Sequence, residues 1–325
     1  MTLVAVTRVL NEDDIVEAFV RHHAAMVDHH LFLDNGSTDR TIEILQSLKD
    51  EGFRLTVLQN RTPFFSEVSY NTSLFRQARM LFGASWVLFL DGDEFLNTSG
   101  IPSSLSAYLS SMADETASLS LPVVNYHDLP SDRATELIIP LRQRNREQVP
   151  FAPTFKLMLK GHLADAHAVV DAGQHAAIVD GEYVTGLKDH PLSLGHYFRR
   201  SAWQQISKTV IGYLKVAAAG KQETDQNRSS HYKPLFESLR DHPEQVLQSK
   251  FIDAVHEEVA LVEDPFPYLG GPLCYTKADD PKLKAVRVML AYAQQLAENH
   301  GMFIDTNQGV RLQAESATSE WRMLI

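Results

Sequence analysis

The sequence contains a single cysteine, Cys274, so no disulfide can form within the chain. A chain without disulfides suits a reducing compartment, and we interpret Cys274 as structural. The sequence also lacks any apolar run near the ~20 residues that cross a bilayer, and its start lacks a signal-peptide pattern. We therefore expect a cytoplasmic protein with no transmembrane segment, and peripheral membrane association stays open.

Basic residues are not in excess either. The chain has 30 Lys and Arg against 41 Asp and Glu, which gives a formal net charge of −11. Because the phosphates of nucleic acids call for a basic face, we expect no nucleic-acid partner. The 325 residues are 44% hydrophobic and 22% charged, values typical of a globular protein that can bury a substantial core.

An apolar segment at residues 86–90 ends in Asp91-Gly92-Asp93. Residues two apart in an extended chain point to the same side, so both carboxylates can aim at one point beyond a strand. Gly92 would let a ligand approach the backbone closely. Hard oxygen ligands on so short a step suit Mg²⁺ or Mn²⁺, which can carry substrate phosphates. A plain acidic turn is the alternative interpretation.

Strand and helix patterns alternate through the first 100 residues, which predicts a parallel sheet with helices on both faces. The predicted strands are residues 3–9, 31–34, 54–58 and 86–90. Ligands of such sheets bind outside the carboxyl ends of the strands. The polar residues at those ends, which we expect to face one crevice, are Thr7, Arg8, Asn11, Asp34, Asn35, Ser37, Asp91 and Asp93.

The regular alternation of strand and helix patterns ends at about residue 100. Strands are predicted at residues 117–125, 155–159 and 176–179. After Tyr197 the chain turns helical, with helices predicted at residues 201–219, 234–239, 244–262 and 282–299.

The chain resembles the GT-A nucleotide-sugar glycosyltransferases of the family 2 type, and within them the branch related to family 92. The segments that carry the resemblance are residues 8–12, 34–41, Tyr70-Asn71 and 90–96, with a weaker fifth at His196-Tyr197 followed by Ser201 and Lys208. The resemblance covers about the first 200 residues. It implies a GT-A fold, a Rossmann-like, mostly parallel sheet with helices on both faces. We expect a catalytic domain at residues 1–200 and a mainly helical C-terminal extension at 201–325, packed on or beside it.

The resemblance also implies a nucleoside-diphosphate sugar donor, expected to be UDP-linked, and Mn²⁺ or Mg²⁺ as cofactor. In the family, the aspartate that matches Asp34 contacts the base. The aspartates that match Asp91 and Asp93 hold the ribose and the metal–diphosphate. The donor-binding residues we expect are Thr7, Arg8, Asn11, Asp34, Asn35, Ser37, Tyr70, Asn71, Asp91 and Gly92.

A late histidine is the expected third metal ligand, because GT-A enzymes often use one. Neutral imidazole can complete the coordination that two carboxylates and a diphosphate leave open. We choose His196, since His-Tyr recurs in the related family and a helix pattern starts at Ser201. His175 is the alternative, and a hydrogen-bonded histidine in a turn is the interpretation without a metal.

The expected reaction is metal-dependent transfer of a sugar to a hydroxyl of a glycan or lipid-linked acceptor, as in polysaccharide biosynthesis. The resemblance favours inversion, which requires a carboxylate to accept a proton. No segment matches the family's base segment. Among Asp128, Asp132, Asp165 and Asp171 we choose Asp165, which lies between a predicted strand and His175.

Two other functions stay open. A nucleotidyltransferase on a related fold would also use metal-binding carboxylates, but its usual glycine-rich loop after the first strand is missing from residues 7–12. A non-catalytic nucleotide-sugar-binding protein would fit the missing base segment, but the intact Asp91-Gly92-Asp93 argues against it.

Overall fold

The computed structural model describes residues 1–62, 66–113, 115–129, 132, 135–149, 153–220, 231–244 and 259–317. Its first half is the predicted strand–helix repeat, and its four strands run parallel in the order β4-β1-β2-β3. These strands are β1 (Leu3–Val9), β2 (His29–Asp34), β3 (Leu55–Gln59) and β4 (Trp86–Asp91). The register pairs Arg8 with Asp91 and Val9 with Asp34, so three strands end at one level.

Helices cover both faces of this parallel part. They are α1 (Val16–His23), α2 (Thr41–Glu51) and α3 (Glu67–Phe82). Alternate residues of β1 join opposite clusters, as the two-residue period of a strand requires. Leu3 and Ala5 pack in the cluster of α1 and α2, whereas Val4 and Val6 pack in the cluster of α3. The predicted α/β fold is confirmed.

The sheet continues beyond β4 with mostly antiparallel strands. The next elements along the chain are β5 (Glu94–Asn97), α4 (Leu105–Ser110), β6 (Ser118–His127), α5 (Ile139–Arg142), β7 (Asn145–Glu147) and β8 (Phe155–Lys160). Strand β8 lies antiparallel between β4 and β6, and β7 pairs antiparallel with the end of β6. The whole sheet is therefore mixed, and its parallel part carries the edge where we expected ligands.

A small three-stranded sheet follows, formed by β9 (Ala168–Val170), β10 (Ala177–Val179) and β11 (Glu182–Val184). Strand β12 (Ser193–His196) then returns to the main sheet, where it runs parallel to β6 and antiparallel to β5. Its register sets His196 against Asn125 of β6 and Glu94 of β5.

The remaining described elements are α6 (Ala202–Ala218), α7 (Tyr232–Asp241), β13 (Leu261–Glu263), α8 (Pro281–Thr306) and α9 (Gln308–Ala317). Three of the four helices predicted after residue 200 are confirmed. The fourth, at residues 244–262, lies mostly outside the described residues, and its last two residues belong to β13, which pairs with β7. No helix in the described part of the chain is long and apolar enough to cross a bilayer.

The C-terminal helices contact the first half directly. Ile211 of α6 packs with Val288 and Tyr292 of α8, and Leu10 lies against this cluster. Phe266 belongs to the main core beside Tyr126 and Tyr197. The division of the chain at residue 200 stays a prediction.

Candidate active site

A cleft of about 720 Å³ opens at the carboxyl ends of β1 and β4. Lys208, Ile211 and Lys215 of α6 line one wall at the spacing of a single helix face. The cleft therefore combines residues from the parallel sheet with residues from the C-terminal helices. The charged residues that line it are Arg8, Glu12, Glu67, Asp91, Asp93, Glu94, Lys156, Lys208 and Lys215.

Asp91 ends β4 between two cations. Its Oδ2 lies 2.5 Å from Lys156 Nζ and its Oδ1 lies 3.5 Å from Arg8 Nη2. Burial raises the pKa of this carboxyl, but the charges of Lys156 and Arg8 outweigh burial and hold the pKa below its usual range. Asp91 is therefore an ionised carboxylate at neutral pH.

Asp93 has a second group of cations. Lys208 Nζ lies 2.8 Å and Arg200 Nη1 lies 3.6 Å from its Oδ2. Burial again raises the pKa, but the positive charges of Lys208 and Arg200 oppose it, and the pKa falls below its ordinary value. The two aspartates thus line one cleft, as predicted, although each already faces cationic side chains.

Gly92 lies between the two aspartates and against the loop after β1. A Cβ on Gly92 would stand 3.3 Å from Val9 Cγ1 and 3.6 Å from Glu12 Cγ. Glycine therefore allows the loop after β1 to come close to residues 91–93.

Both candidate histidines line the cleft, but only His196 is placed against an aspartate in the described contacts. Its Nε2 lies 3.6 Å from Asp93 Oδ1, and its Nδ1 lies 2.9 Å from Asn125 Oδ1. Burial lowers the pKa of His196, and the neighbouring Asp93 only partly opposes this. His175 instead places its Nδ1 2.6 Å from the carbonyl oxygen of Phe155.

A divalent cation fits this donor set in part. Asp93 supplies a carboxylate oxygen and His196 an imidazole nitrogen, and a separation of 3.6 Å suits two ligands of one ion with bonds of ~2.1 Å. The described residues contain no ready group of three or more His, Cys, Asp or Glu side chains around one point. The remaining positions of an ion would fall to oxygens of a substrate and to water.

Two glutamates in the cleft have raised pKa values. Burial raises the pKa of Glu12 to about 7, although its carboxylate contacts Arg200. Burial raises the pKa of Glu94 to about 8 despite Lys156, and Glu94 Oε2 accepts a hydrogen bond of 2.8 Å from the amide of Asp91. Glu94 therefore holds the end of β4 in place.

Of the expected donor-binding residues, five line the cleft. They are Arg8, Asn11, Asn35, Asp91 and Gly92. Asn11 also joins two loops, since its amide donates to Ser37 Oγ and its Oδ1 accepts from the amide of Thr38.

Four of the expected donor-binding residues are absent from the described cleft lining. Thr7 is buried in β1, and Ser37 binds the amide of Asn11. The hydroxyl of Tyr70 accepts a hydrogen bond from Asn60. Asn71 donates to the carbonyl of Asp171. Their described contacts are structural, and direct contact with a donor stays a prediction for them.

Asp34 is the residue that we expected to contact the base. It is fully buried, outside the cleft lining, and its oxygens accept from the amides of Gly36 and Ser37 and from Gln59 Nε2 at 2.9–3.1 Å. Gln295 of α8 lies against Gly36, where a Cβ would meet its Nε2 at 2.7 Å. The hydrogen bonds of Asp34 hold the turn after β2, and the contact of Asp34 with the base of the donor stays a prediction.

Asp165 was the wrong choice for the base. It lies in a short 3₁₀ turn, Gly161–Asp165, and forms an exposed ion pair with Arg79 at the end of α3, at 2.8 Å. Both residues line a separate surface depression, away from the carboxyl ends of the strands. Asp128, Asp132 and Asp171 are also absent from the described lining of the cleft.

Several residues of the site were missed from sequence. Lys156 is the sole charge inside the apolar strand segment 155–159, a signal that could have identified it. Arg200, Asn125 and Lys215 carried no comparable signal, because strand pairing and helix docking bring them to the site. Burial, with a smaller effect of Arg8, lowers the pKa of Lys215 to about 7.

The family model described as Glycosyl transferase family 2 matches residues 5–169, just over half of the chain. The chain belongs to glycosyl transferase family 2. The predicted glycosyltransferase class and GT-A fold are thereby confirmed. The relation to family 92 stays a prediction.

The solved structures that match the chain are distant from it. S. aureus TarS in complex with UDP is 13% identical, with 67% of this chain and 65% of that chain covered and a TM-score of 0.35. The mannosyltransferase PcManGT from Pyrobaculum calidifontis, in complex with GDP-Man and Mn²⁺, is 14% identical, with coverage of 73% and 68% and a TM-score of 0.37. Glucosyl-3-phosphoglycerate synthase from Mycobacterium tuberculosis, in complex with Mn²⁺, UDP and glucosyl-3-phosphoglycerate, is 16% identical, with coverage of 53% and 61% and a TM-score of 0.29.

The chain spans less than two thirds of the length of TarS and of the synthase. Similarities this distant carry no argument about the donor, metal or acceptor of this chain. The comparison with curated proteins gives no match.

Proposed function

We propose that this family 2 protein transfers a sugar from a nucleoside-diphosphate sugar, with UDP as the expected nucleotide, to a hydroxyl of a glycan or lipid-linked acceptor. The observation that carries the proposal is the meeting of Asp91 and Asp93 with Arg8, Lys156 and Lys208 in one cleft. A diphosphate leaving group gains negative charge as the glycosidic bond breaks, and nearby cations stabilise that charge. Polysaccharide biosynthesis in the cytoplasm is the setting we propose.

Asp93 and His196 are the residues that would hold Mn²⁺ or Mg²⁺, with Asp91 beside them. A bound divalent cation would supply Lewis-acid stabilisation to the diphosphate. The contribution of the chain itself is to keep both carboxylates ionised, the half-buried Asp91 and the buried Asp93. Lys156 does this for Asp91 and Lys208 for Asp93, through the contacts that lower the two pKa values.

Inversion needs a group that accepts the proton of the acceptor hydroxyl, and Asp165 lies too far from the cleft to serve. We propose Glu12 instead. It lines the cleft, its side chain is 13% exposed, and its pKa of about 7 suits proton transfer near neutral pH. Glu12→Gln should lower turnover while nucleotide affinity is kept.

The test of this function is release of nucleoside diphosphate from a panel of nucleotide sugars, with Mn²⁺ and with chelator. Asp91→Asn and Asp93→Asn should each lower the rate by about 100-fold or more, a magnitude typical of lost transition-state electrostatics. Asp165→Asn is the matched control, since it removes the same charge outside the cleft. Full activity of either cleft variant, or full activity in chelator, would refute the metal-dependent mechanism.

The same assay separates the two alternatives. A nucleotide-sugar-binding protein would show a ligand-dependent rise in melting temperature but no release of nucleoside diphosphate. A nucleotidyltransferase would instead form pyrophosphate from a sugar phosphate and a nucleoside triphosphate.

A further inference from the structure

Beside the cleft, a series of hydrogen bonds leads from Glu147 to His196. Asn125 Nδ2 donates to Glu147 Oε1 at 3.1 Å, and Asn125 Oδ1 lies 2.9 Å from His196 Nδ1. His196 Nε2 then faces Asp93 Oδ1 across 3.6 Å. Strand pairing creates this order, because β6 carries Asn125 between β12 and β7.

Glu147 determines which way the amide of Asn125 points. A carboxylate offers only acceptors, whereas an amide has a donor end and an acceptor end. Glu147 Oε1 therefore takes the NH₂ group of Asn125, and it also lies 3.1 Å from His127 Nε2. Glu147 is 6% exposed, and its Oε2 is buried with no hydrogen-bond partner among the described residues. Its hydrogen bonds thus concentrate on Asn125 and His127.

The orientation of Asn125 in turn decides where His196 carries its proton. With the NH₂ group on Glu147, the oxygen of Asn125 faces Nδ1, and an oxygen can only accept. Nδ1 must then carry the hydrogen, and neutral imidazole leaves a lone pair on Nε2.

The opposite orientation would have one cost and one consequence for Nε2. It would set the oxygen of Asn125 against the carboxylate of Glu147, so that two acceptors would face each other at hydrogen-bond distance. It would also aim the NH₂ group at Nδ1 and move the proton of His196 to Nε2. A protonated Nε2 would donate to Asp93 and could not bind a cation.

We propose that Glu147 is a positioning residue that acts through Asn125 to fix His196 in the tautomer protonated on Nδ1, with the lone pair of Nε2 beside Asp93. Partners of this kind orient a metal-binding imidazole from behind. The use of the lone pair for Mn²⁺ rests on the proposed function, whereas the tautomer does not.

The first measurement is the tautomer of His196 in the metal-free protein, by two-dimensional ¹H–¹⁵N NMR of the imidazole nitrogens. Loss of one ring signal in His196→Gln identifies the residue. We expect the Nδ1–H form in the wild type and growth of the Nε2–H form in Glu147→Gln, because a glutamine side chain can donate as well as accept. An Nε2–H form in the wild type, or an unchanged tautomer in Glu147→Gln, would overturn the proposal.

The matched control is Glu263→Gln. Glu263 lies on β13, the strand paired with β7, and forms an exposed ion pair with Arg144. The control removes the same charge one strand away and should leave the tautomer unchanged. If Glu147→Gln does not fold, Asn125→Leu removes both hydrogen bonds and should likewise increase the Nε2–H form. The wild-type spectrum by itself shows which tautomer His196 has in the unaltered protein.

The second measurement is Mn²⁺ affinity in the presence of UDP, followed by the electron paramagnetic resonance signal of free Mn²⁺. Glu147→Gln should raise the Kd for Mn²⁺ by about 10-fold or more, the usual effect of losing such a partner. A Kd equal to that of Glu263→Gln would overturn the role toward the metal. If the wild type shows the Nδ1–H tautomer and binds no Mn²⁺, the metal part of the proposed function fails and the positioning role of Glu147 stands.

Discussion

Asp34 and Asp91 end neighbouring strands of the same sheet, but their carboxylates have different surroundings. Asp34 accepts hydrogen bonds from two backbone amides and a glutamine side chain, all uncharged. Asp91 contacts Lys156 and Arg8. A carboxylate that is paired with side-chain cations can bind a metal cation in their place. A carboxylate that accepts hydrogen bonds from backbone amides cannot move without breaking the turn. Asp91 therefore lines the cleft with its counter-charges, whereas the described contacts of Asp34 hold the turn after β2.

Asp34→Ala should therefore lower the stability of the protein. Removing the carboxylate leaves the amides of Gly36 and Ser37 without their acceptor, which costs about 1–3 kcal/mol of unfolding free energy. Urea unfolding measures this loss. Calorimetry with UDP on the folded variant tests the separate role toward the base, because an affinity equal to that of the wild type would leave Asp34 with the turn alone. Asp165→Ala is the surface control and should change neither. A large loss of UDP affinity at unchanged stability would support the contact with the base that the sequence resemblance suggests.

At the scale of elements, α1 and β2 bring three histidines into the core. His22 and His23 of α1 bind backbone groups of Leu96 and Phe19, and His30 of β2 stacks on Phe32. Burial lowers the pKa of His22 to about 4 and of His30 to about 3, and it lowers the pKa of His23 well below its ordinary value. All three are uncharged in the folded protein at neutral pH.

Because burial lowers the pKa values of these histidines, we expect the protein to lose stability in mild acid. Unfolded histidines take up protons near pH 6.5, whereas the folded ones resist until much lower pH, so protons favour the unfolded chain. Stability should be full above pH 6.5 and fall toward pH 4. His30→Phe should reduce the slope of unfolding free energy in this window by about 1.4 kcal/mol per pH unit, the value for one proton. Equal slopes in urea titrations of both proteins would contradict the assignment.

The sequence predicts the first half of the fold well, because each strand there is followed at once by a helix with its own periodicity. The short strands β7 and β13 escape prediction, since three residues carry no period and their pairing joins segments over 100 residues apart. The same limit decides which residues of the site can be predicted from the sequence. Asp91 and Asp93 stand out locally, whereas Asp165 was misplaced because its partner, Arg79, lies 86 residues away.

For the whole molecule, α8 links the C-terminal part to the loops that border the cleft. Lys284 contacts Asp13 and lies 3.6 Å from Asp39 and 3.7 Å from Asp14. Gln295 Nε2 donates to the carbonyl of Arg61 at 2.8 Å. Burial raises the pKa of Asp39 to about 6, Asp13 adds to the increase, and Lys284 opposes it. One lysine thus holds three carboxylates together.

Lys284→Met should destabilise the protein by about 1.5–3 kcal/mol at pH 7.5, the range for hydrogen bonds to charged groups. The loss relative to the wild type should shrink at pH 5. The pKa of Asp39 is already raised in the folded protein, so ionisation of Asp39 lowers the free energy of unfolding more as pH rises. Removal of Lys284 raises that pKa further, which makes the loss larger at pH 7.5 than at pH 5. Urea unfolding at both pH values measures this difference. Lys282→Met, on the same turn of α8 but with no ion pair among the described contacts, is the control; an equal effect of both variants would refute the role of Lys284.

The contact between Lys284 and Asp13 joins residues 271 positions apart. A ribosome makes the acidic loop after β1 well before the lysine that contacts it. Translation adds about 5–20 residues per second. During synthesis the loop beside the cleft therefore lacks its counter-charge until Lys284 is added, and the cleft reaches its final shape only after α8 has been translated.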